Sequence, residues 1–315
     1  MKRALRAILI LLIILTTVLA AIYANHRFQL HREAALRTPL GQLVEVNGHK
    51  MSLYTVGQGD KTLVFLSGGG TCSPILDFRS LYTRLSDSYQ IAVVEKLGYG
   101  FSDVVDTERS IPSILNDTRT ALAEAGITGP YVLCPHSMSG IEALYWAQQY
   151  PDEVEAIIGL DMAVPQAYED YRFNMPMLML SQLSARLGIT RLIPGIAESD
   201  AILYGTLSDT EKDIYRAVFY AKTATVTMLN EVKHIKENAE LVLQGGVPQI
   251  PMLLFVSNGS STGWDADEWR AHQEAFAQRA ENAWLLALDC SHYVHDHAYD
   301  AISREINAFL ADLPH

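Results

Sequence analysis

The chain has 315 residues with 36 Asp and Glu against 24 Lys and Arg, a formal net charge of −12. One catalytic domain with an insertion fits that length. The acidic balance excludes nucleic acid as a partner, because phosphate binding needs clustered Lys and Arg, and it disfavours charge-driven docking of the domain on an anionic membrane. Three cysteines, Cys72, Cys134 and Cys290, are too few for a disulfide framework, and no His or Cys spacing suits a metal, so neither metal nor cofactor is expected.

The chain opens with Lys2, Arg3 and Arg6 ahead of an uncharged apolar run from Ala7 to Ala24. That is close to the roughly 20 residues that cross a bilayer, and longer than the usual apolar region of a signal peptide. We expect residues 1–24 to be an uncleaved anchor, with the lipid bilayer as its partner; a signal cleaved after Ala20 is the alternative. Positive charge before the run places the N-terminus in the cytoplasm and the rest outside it, against the opposing bias of Arg27, Arg32 and Arg37. Residues 25–40 are expected as a polar juxtamembrane linker with helical character.

Leu43–Val46 and Met51–Val56 flank Asn47-Gly48, a dipeptide suited to a hairpin turn. From Leu63 onward strands and helices alternate, which predicts a mostly parallel sheet wound by helices. Thr62–Leu66 reads as a buried strand and ends in Ser67-Gly68-Gly69-Gly70. Glycines there let backbone amides approach a ligand. Gln90–Glu95 is the next strand, followed by Gly98-Tyr99-Gly100-Phe101-Ser102, and Ile111–Ala125 the helix after it.

The most informative stretch is Tyr131-Val132-Leu133-Cys134-Pro135-His136-Ser137-Met138-Ser139-Gly140. An apolar strand runs into a serine flanked by small residues, and a helix-forming segment, Ile141–Tyr150, follows at once. Such a strand-turn-helix holds a serine hydroxyl above the sheet, where the helix N-terminus and the next backbone N–H favour negative charge. Pro135 and Ser139 stand where the G-x-S-x-G pattern has glycine. Cys134 is expected to pack as a small hydrophobe.

Val154–Leu160 is a strand, and beyond it the alternation stops. Residues 163–249 hold helical patterns at Met175–Leu187, Ala197–Leu207 and Asp209–Glu237, which predict a helical cap over the carboxyl edge of the sheet, where ligands bind in open α/β folds. Phe173, Met175, Met177, Leu178, Met179 and Leu180 form a Met-rich cluster, most of it expected to bury the cap's own core and some to line an adaptable acyl pocket. The strand Ile250–Val256, the helix Asp265–Ala280 and the strand Ala283–Leu288 complete the pattern, giving 41–162 and 250–315 as the two parts of the core.

These landmarks, in this order, resemble the α/β-hydrolase family in its capped subgroup of esterases, lipases and peptidases, over most of residues 41–315. Ser67-Gly68-Gly69-Gly70 stands where the family has His-Gly, Gly98 to Ser102 matches its G-x-G-x-S turn, His136-Ser137-Met138-Ser139-Gly140 its H-S-M-G-G, and Ser291-His292 its Gly-His. The departures are Ser67, Pro135, Ser139 and Ser291. The resemblance implies Ser137 as nucleophile, His292 as base among ten histidines, and the N–H groups of Met138 and Gly69 as oxyanion hole. His136 is then structural, and His295, three residues past His292, is expected as a rim residue. The usual turn for the acid, Ser257 to Gly263, holds no carboxylate. The other family position, as in haloalkane dehalogenases, is the end of the strand after the elbow helix, here Asp161. Asp161 is placed ahead of Asp265, with Asp267 or no acid as the remaining options.

The implied activity is hydrolysis of a small-molecule carboxylic ester by an anchored serine hydrolase through an acyl-enzyme. A serine at this position speaks against dehalogenase and epoxide-hydrolase chemistry, which use aspartate there. An aminopeptidase or amidase of the same fold, holding a substrate amine with Glu169, Asp170, Glu198 or Asp200, is the second reading. A non-catalytic binding protein on a hydrolase scaffold is the third.

Overall fold

The computed structural model describes residues 2–313. Its centre is an eight-stranded sheet of β1 (Gln42–Val46), β2 (His49–Val56), β3 (Thr62–Leu66), β4 (Gln90–Glu95), β5 (Tyr131–Pro135), β6 (Val154–Leu160), β7 (Met252–Val256) and β8 (Ala283–Ala287). The spatial order is β1-β2-β4-β3-β5-β6-β7-β8. Pairing is antiparallel from β1 to β2 and β2 to β4, and parallel everywhere else. Asn47 and Gly48 both take positive φ, as a tight hairpin turn between β1 and β2 requires.

The helices used below are α1 (Lys2–Arg32), α2 (Ile111–Glu124), α3 (Ser139–Gln149), α4 (Met175–Leu187), α5 (Asp209–Lys222), α6 (Val226–Gln244), α7 (Ala266–Ala277) and α8 (Tyr299–Ala311). Successive strand residues point to opposite faces, so each central strand feeds two cores. Val64, Leu66, Leu133 and Ile157 pack with α2 and α3 on one face. Phe65, Cys134, Ile158 and Phe255 pack with α8 on the other. Burial on both faces explains why β3, β5 and β7 read as continuous apolar runs.

α4, α5 and α6 all lie between β6 and β7 in sequence. Two expectations fail in this insertion. The continuous helix read over Asp209–Glu237 breaks at Thr223-Ala224-Thr225, and Ala197–Leu207 keeps one helical turn, Asp200–Leu203. The break has a tertiary cause. Thr225 caps α6 by accepting from Met228 N–H and donates to Gly98 O at 3.2 Å, while Thr227 Oγ1 donates to Val105 O at 2.5 Å and accepts from Val105 N at 2.9 Å. The loop after β4 therefore fixes where α6 starts, and Ala224 turns to φ 49° to reach it. Lys96 and Tyr99 from the same loop bind the Glu231 carboxylate of α6 in a buried cluster.

α1 is long and apolar enough to cross a membrane. Leu5 and Ile8 to Leu15 along it are more than half exposed, and the helix continues through Arg32.

Candidate active site

The ends of four parallel strands build the site. Gly68, Gly69 and Gly70 follow β3, Ser137 follows β5, Asp161 follows β6 and His292 follows β8. Ser137 has φ 53°, the left-handed conformation of an elbow between strand and helix. Two contacts explain the small residues around it. A Cβ on Gly140 would meet Ala163 O at 2.2 Å, and one on Gly68 would meet Ser137 Cβ at 2.7 Å. Ser139, where the family has glycine, fits because its hydroxyl is used: Oγ donates toward Leu66 O at 2.6 Å and His136 O at 2.9 Å, and accepts from His136 N at 3.0 Å. It ties the elbow to the end of β3.

Ser137 Oγ lies 2.8 Å from His292 Nε2, and His292 Nδ1 lies 2.6 Å from Asp161 Oδ2. The geometry fits a serine O–H donated to Nε2 and an Nδ1–H donated to the carboxylate. Asp161 is fully buried, with φ 49°. Its Oδ1 accepts from Ser257 N at 2.8 Å and Trp269 Nε1 at 2.9 Å. Such donors offset the cost of burying a polar group away from water. Trp269 also meets the His292 ring edge-on, at a centroid distance of 5.6 Å. No local signal in the sequence marked Trp269 or the Ser257 amide.

The other acids stand apart. Asp265 is an exposed N-cap of α7, accepting from the N–H groups of Asp267 and Glu268, and Asp267 pairs with Arg270 on the surface. His136 is buried beside the site with Nε2 3.2 Å from His292 O, and burial holds it well below the usual imidazole range, so it is neutral. His295 is no rim residue. It is fully buried against Phe78 and His136, and desolvation drives it down to about 3.

A cavity of 330 Å³ opens on Ser137, with Gly69 and Met138 in its wall. The remaining lining is mostly apolar: Tyr168, Phe173, Leu178, Met228, Leu229 and Trp264 among others. Here the Met-rich cluster departs from expectation. Phe173 and Leu178 line the cavity, but Met177, Met179 and Leu180 are 58%, 57% and 57% exposed and form no part of the cap's core. The four acids considered for an amine are absent from this wall. Glu169 and Asp170 face solvent, Glu198 binds Arg216 in a two-pronged pair, and Asp200 bonds Ser291 and His297.

A family model described as the alpha/beta hydrolase fold matches residues 61–298. The uncharacterized protein YbdG of Bacillus subtilis is 36% identical over 306 residues, which cover 95% of this chain and 94% of that protein. A cis-3-alkyl-4-alkyloxetan-2-one decarboxylase of Shewanella oneidensis is 22% identical over 84% of this chain and 86% of its own. Among solved structures, an epoxide hydrolase from Vigna radiata has a TM-score of 0.66 at 19% identity, covering 86% of this chain and 97% of its own. An enol-lactonase from Burkholderia xenovorans has a TM-score of 0.64 at 17% identity, covering 86% and 100%.

Proposed function

The chain belongs to the α/β-hydrolase family, and within that family we propose that it is a membrane-anchored serine hydrolase that cleaves carboxylic esters. Proteins of this fold carry different activities, so the side chains at the site must choose among them. The observation that carries the reading is the chain of hydrogen bonds from Ser137 Oγ through His292 to Asp161, 2.8 and 2.6 Å long, ending in an apolar cavity.

In this reading Ser137 Oγ attacks the ester carbonyl carbon as His292 Nε2 takes its proton. Asp161 holds the Nδ1–H tautomer and stabilises the imidazolium. The carbonyl oxygen becomes an oxyanion held by the N–H groups of Met138 and Gly69, next to the positive end of α3. Collapse breaks the ester C–O bond, and His292 returns the proton to the departing alcohol. Water then attacks the acyl-enzyme by the same route and frees Ser137. The mostly apolar wall around Tyr168, Phe173 and Leu178 suits an acyl or alkyl group.

The aminopeptidase reading lacks support, because a substrate ammonium needs a carboxylate facing the cavity and the acids offered for it are turned elsewhere. The scaffold reading has no need of a buried carboxylate aligned on a histidine, an arrangement costly to bury without use. α1 serves as the anchor, with the N-terminus cytoplasmic and the catalytic domain on the far side; residues 163–249 serve as the cap. Labelling by a fluorophosphonate probe tests the reading. Stoichiometric labelling lost in Ser137→Ala is expected, and labelling that survives this substitution overturns it.

A further inference from the structure

α4 is apolar on two opposite faces. At about 100° per residue, Leu178 and Ala185 share one arc, and Met179, Leu180 and Leu183 fall on the other side. Leu178 lines the Ser137 cavity and Ala185 is buried, whereas Met179, Leu180 and Leu183 are 57%, 57% and 53% exposed. The outward patch continues in Leu192 and Ile193, 59% and 48% exposed. A water-facing helix surface normally carries charge, and a contiguous apolar patch of this kind marks a contact face.

The position of α1 identifies what covers it. α1 packs against α4, the turn Ile189–Leu192 and α5. The junction is specific: a Cβ on Gly188 would lie 2.3 Å from His26 Cβ, Arg191 Nε donates to His26 Nδ1 at 3.0 Å, and its two terminal nitrogens fork onto Glu33 at 2.8 and 2.6 Å. Leu19 and Ile22, within the apolar run, are half-buried and share one helix face with buried His26. From His26 back to Leu19 is about 10 Å along the axis. Interfacial helices sink to a comparable depth, about 5–10 Å. If Ala7–Ala24 crosses the bilayer, the insertion packed on α1 beside His26 must lie at the membrane surface, and the apolar side of α4 meets lipid.

A second cavity, of 430 Å³, adjoins this junction; His26, Gln182, Arg186, Tyr220, Thr223 and Ala224 are in its wall. Thr223 and Ala224 also line the Ser137 cavity. The break between α5 and α6 therefore borders both spaces, and it stands between the end of α1 and the cavity that holds the serine.

We propose that the outer face of α4, with Leu192 and Ile193, is embedded in the surface of the bilayer that α1 crosses, and that acyl esters dissolved in that bilayer reach Ser137 between α4 and the Thr223–Thr225 break. The proposal rests on the anchored-esterase reading above. It makes the substrate a lipid carrying a long acyl chain, an acylglycerol by chemistry. Docking by apolar insertion is also compatible with a net charge of −12, which opposes adsorption by charge alone.

The test uses the full-length protein in phosphatidylcholine vesicles. Leu180→Cys, in a Cys290→Ser background, carries an environment-sensitive fluorophore; Glu281→Cys, exposed before β8 at the opposite edge of the sheet, carries the same label as control. The label at 180 is expected to be quenched by brominated phosphatidylcholine and the label at 281 not. Equal, water-like behaviour at both sites overturns the docking, as does shielding at 180 without lipid quenching, which would mean a second copy of the chain covers the face. Leu180→Asp with Leu183→Asp should lower hydrolysis of a vesicle-borne diacylglycerol by about tenfold or more and leave hydrolysis of p-nitrophenyl acetate unchanged. Equal loss on both substrates, or loss on neither, overturns the entry route. A wild-type protein inert on both esters overturns the esterase reading alone, and the label still decides the docking.

Discussion

The indole N–H of Trp269 donates to Asp161 Oδ1 at 2.9 Å, and this fixes which oxygen of the carboxylate is left for His292. With Ser257 N–H on the same oxygen, the carboxyl group cannot rotate without stranding two buried donors. Trp269→Phe keeps the ring and removes one donor. Turnover should fall by about tenfold with KM little changed, since a hydrogen bond to a charged group contributes about 1.5–3 kcal/mol. A change confined to KM would place Trp269 in substrate binding instead.

Asp161→Asn should cut turnover by about 10⁴-fold by favouring the wrong imidazole tautomer. Asp265→Ala should leave turnover intact and cost about 1 kcal/mol of stability, the worth of a lost N-cap. Steady-state kinetics and urea titration of the two variants separate these outcomes. An inactive Asp265→Ala with an active Asp161→Asn would reverse the assignment of the acid.

Gly68→Ala should abolish activity on every ester while the protein remains folded. The added methyl would fall 2.7 Å from Ser137 Cβ and 3.0 Å from His136 Nδ1, both at the centre of the site. Gly70→Ala is the contrasting variant. Among the described residues, its chain neighbours aside, no atom lies within 4 Å of its would-be Cβ, so its φ of 78° leaves backbone strain as the main penalty. Circular dichroism with probe labelling tests both; full labelling of Gly68→Ala would show that the elbow yields more than the packing allows.

The sheet was legible because burial on both faces writes itself as apolar runs, and the elbow because strand, serine and helix adjoin in sequence. What escaped depended on distant partners. Ala224 breaks a helical pattern containing no Gly or Pro, because Thr225 and Thr227 bond to the loop from Gly98 to Val105. Nearness to His292 in sequence suggests a rim position for His295, yet it points into the core against Phe78. Met179 and Leu180 suit a core because they are apolar, but their helix turns them outward. Trp269 lay in a plain amphipathic helix, and only the packing of α7 brings it to Asp161.

Glu95 predicts a pH dependence of stability. Its carboxyl is fully buried beneath Gly100; Oε2 accepts from Phe101 N at 2.8 Å, and burial pushes it up to about 7. The unfolded chain has an ordinary glutamate, about 4.3. Between these values the folded state holds a proton that the unfolded state has lost, so this contribution to stability is full below the unfolded value and is lost as pH rises toward about 7. Glu95→Gln keeps the acceptor and cannot ionise. It should raise the urea midpoint at pH 8 and flatten the decline between pH 5 and about 7; a midpoint gap that is the same at pH 5 and pH 8 would mean Glu95 stays ionised throughout.

Removing residues 1–24 tests the anchor and bears on how the enzyme meets its substrate. His26, Arg191 and Glu33 all lie beyond the cut, so the junction between the end of α1 and the turn after α4 should survive. The truncated protein should purify without detergent and hydrolyse water-soluble esters at the full-length rate, because Ser137, His292 and Asp161 owe nothing to the deleted segment. It should still float with phosphatidylcholine vesicles through Met179, Leu180 and Leu183, more weakly than the full chain, since burying each such side chain contributes about 1.5–3 kcal/mol. Adding Leu180→Asp and Leu183→Asp should release it. Intact mass of the full-length protein extracted from membranes supplies the complementary measurement: a mature N-terminus near Ala21 would mean that the apolar run is a cleaved signal, and any membrane affinity left would then belong to the outer face of α4 alone.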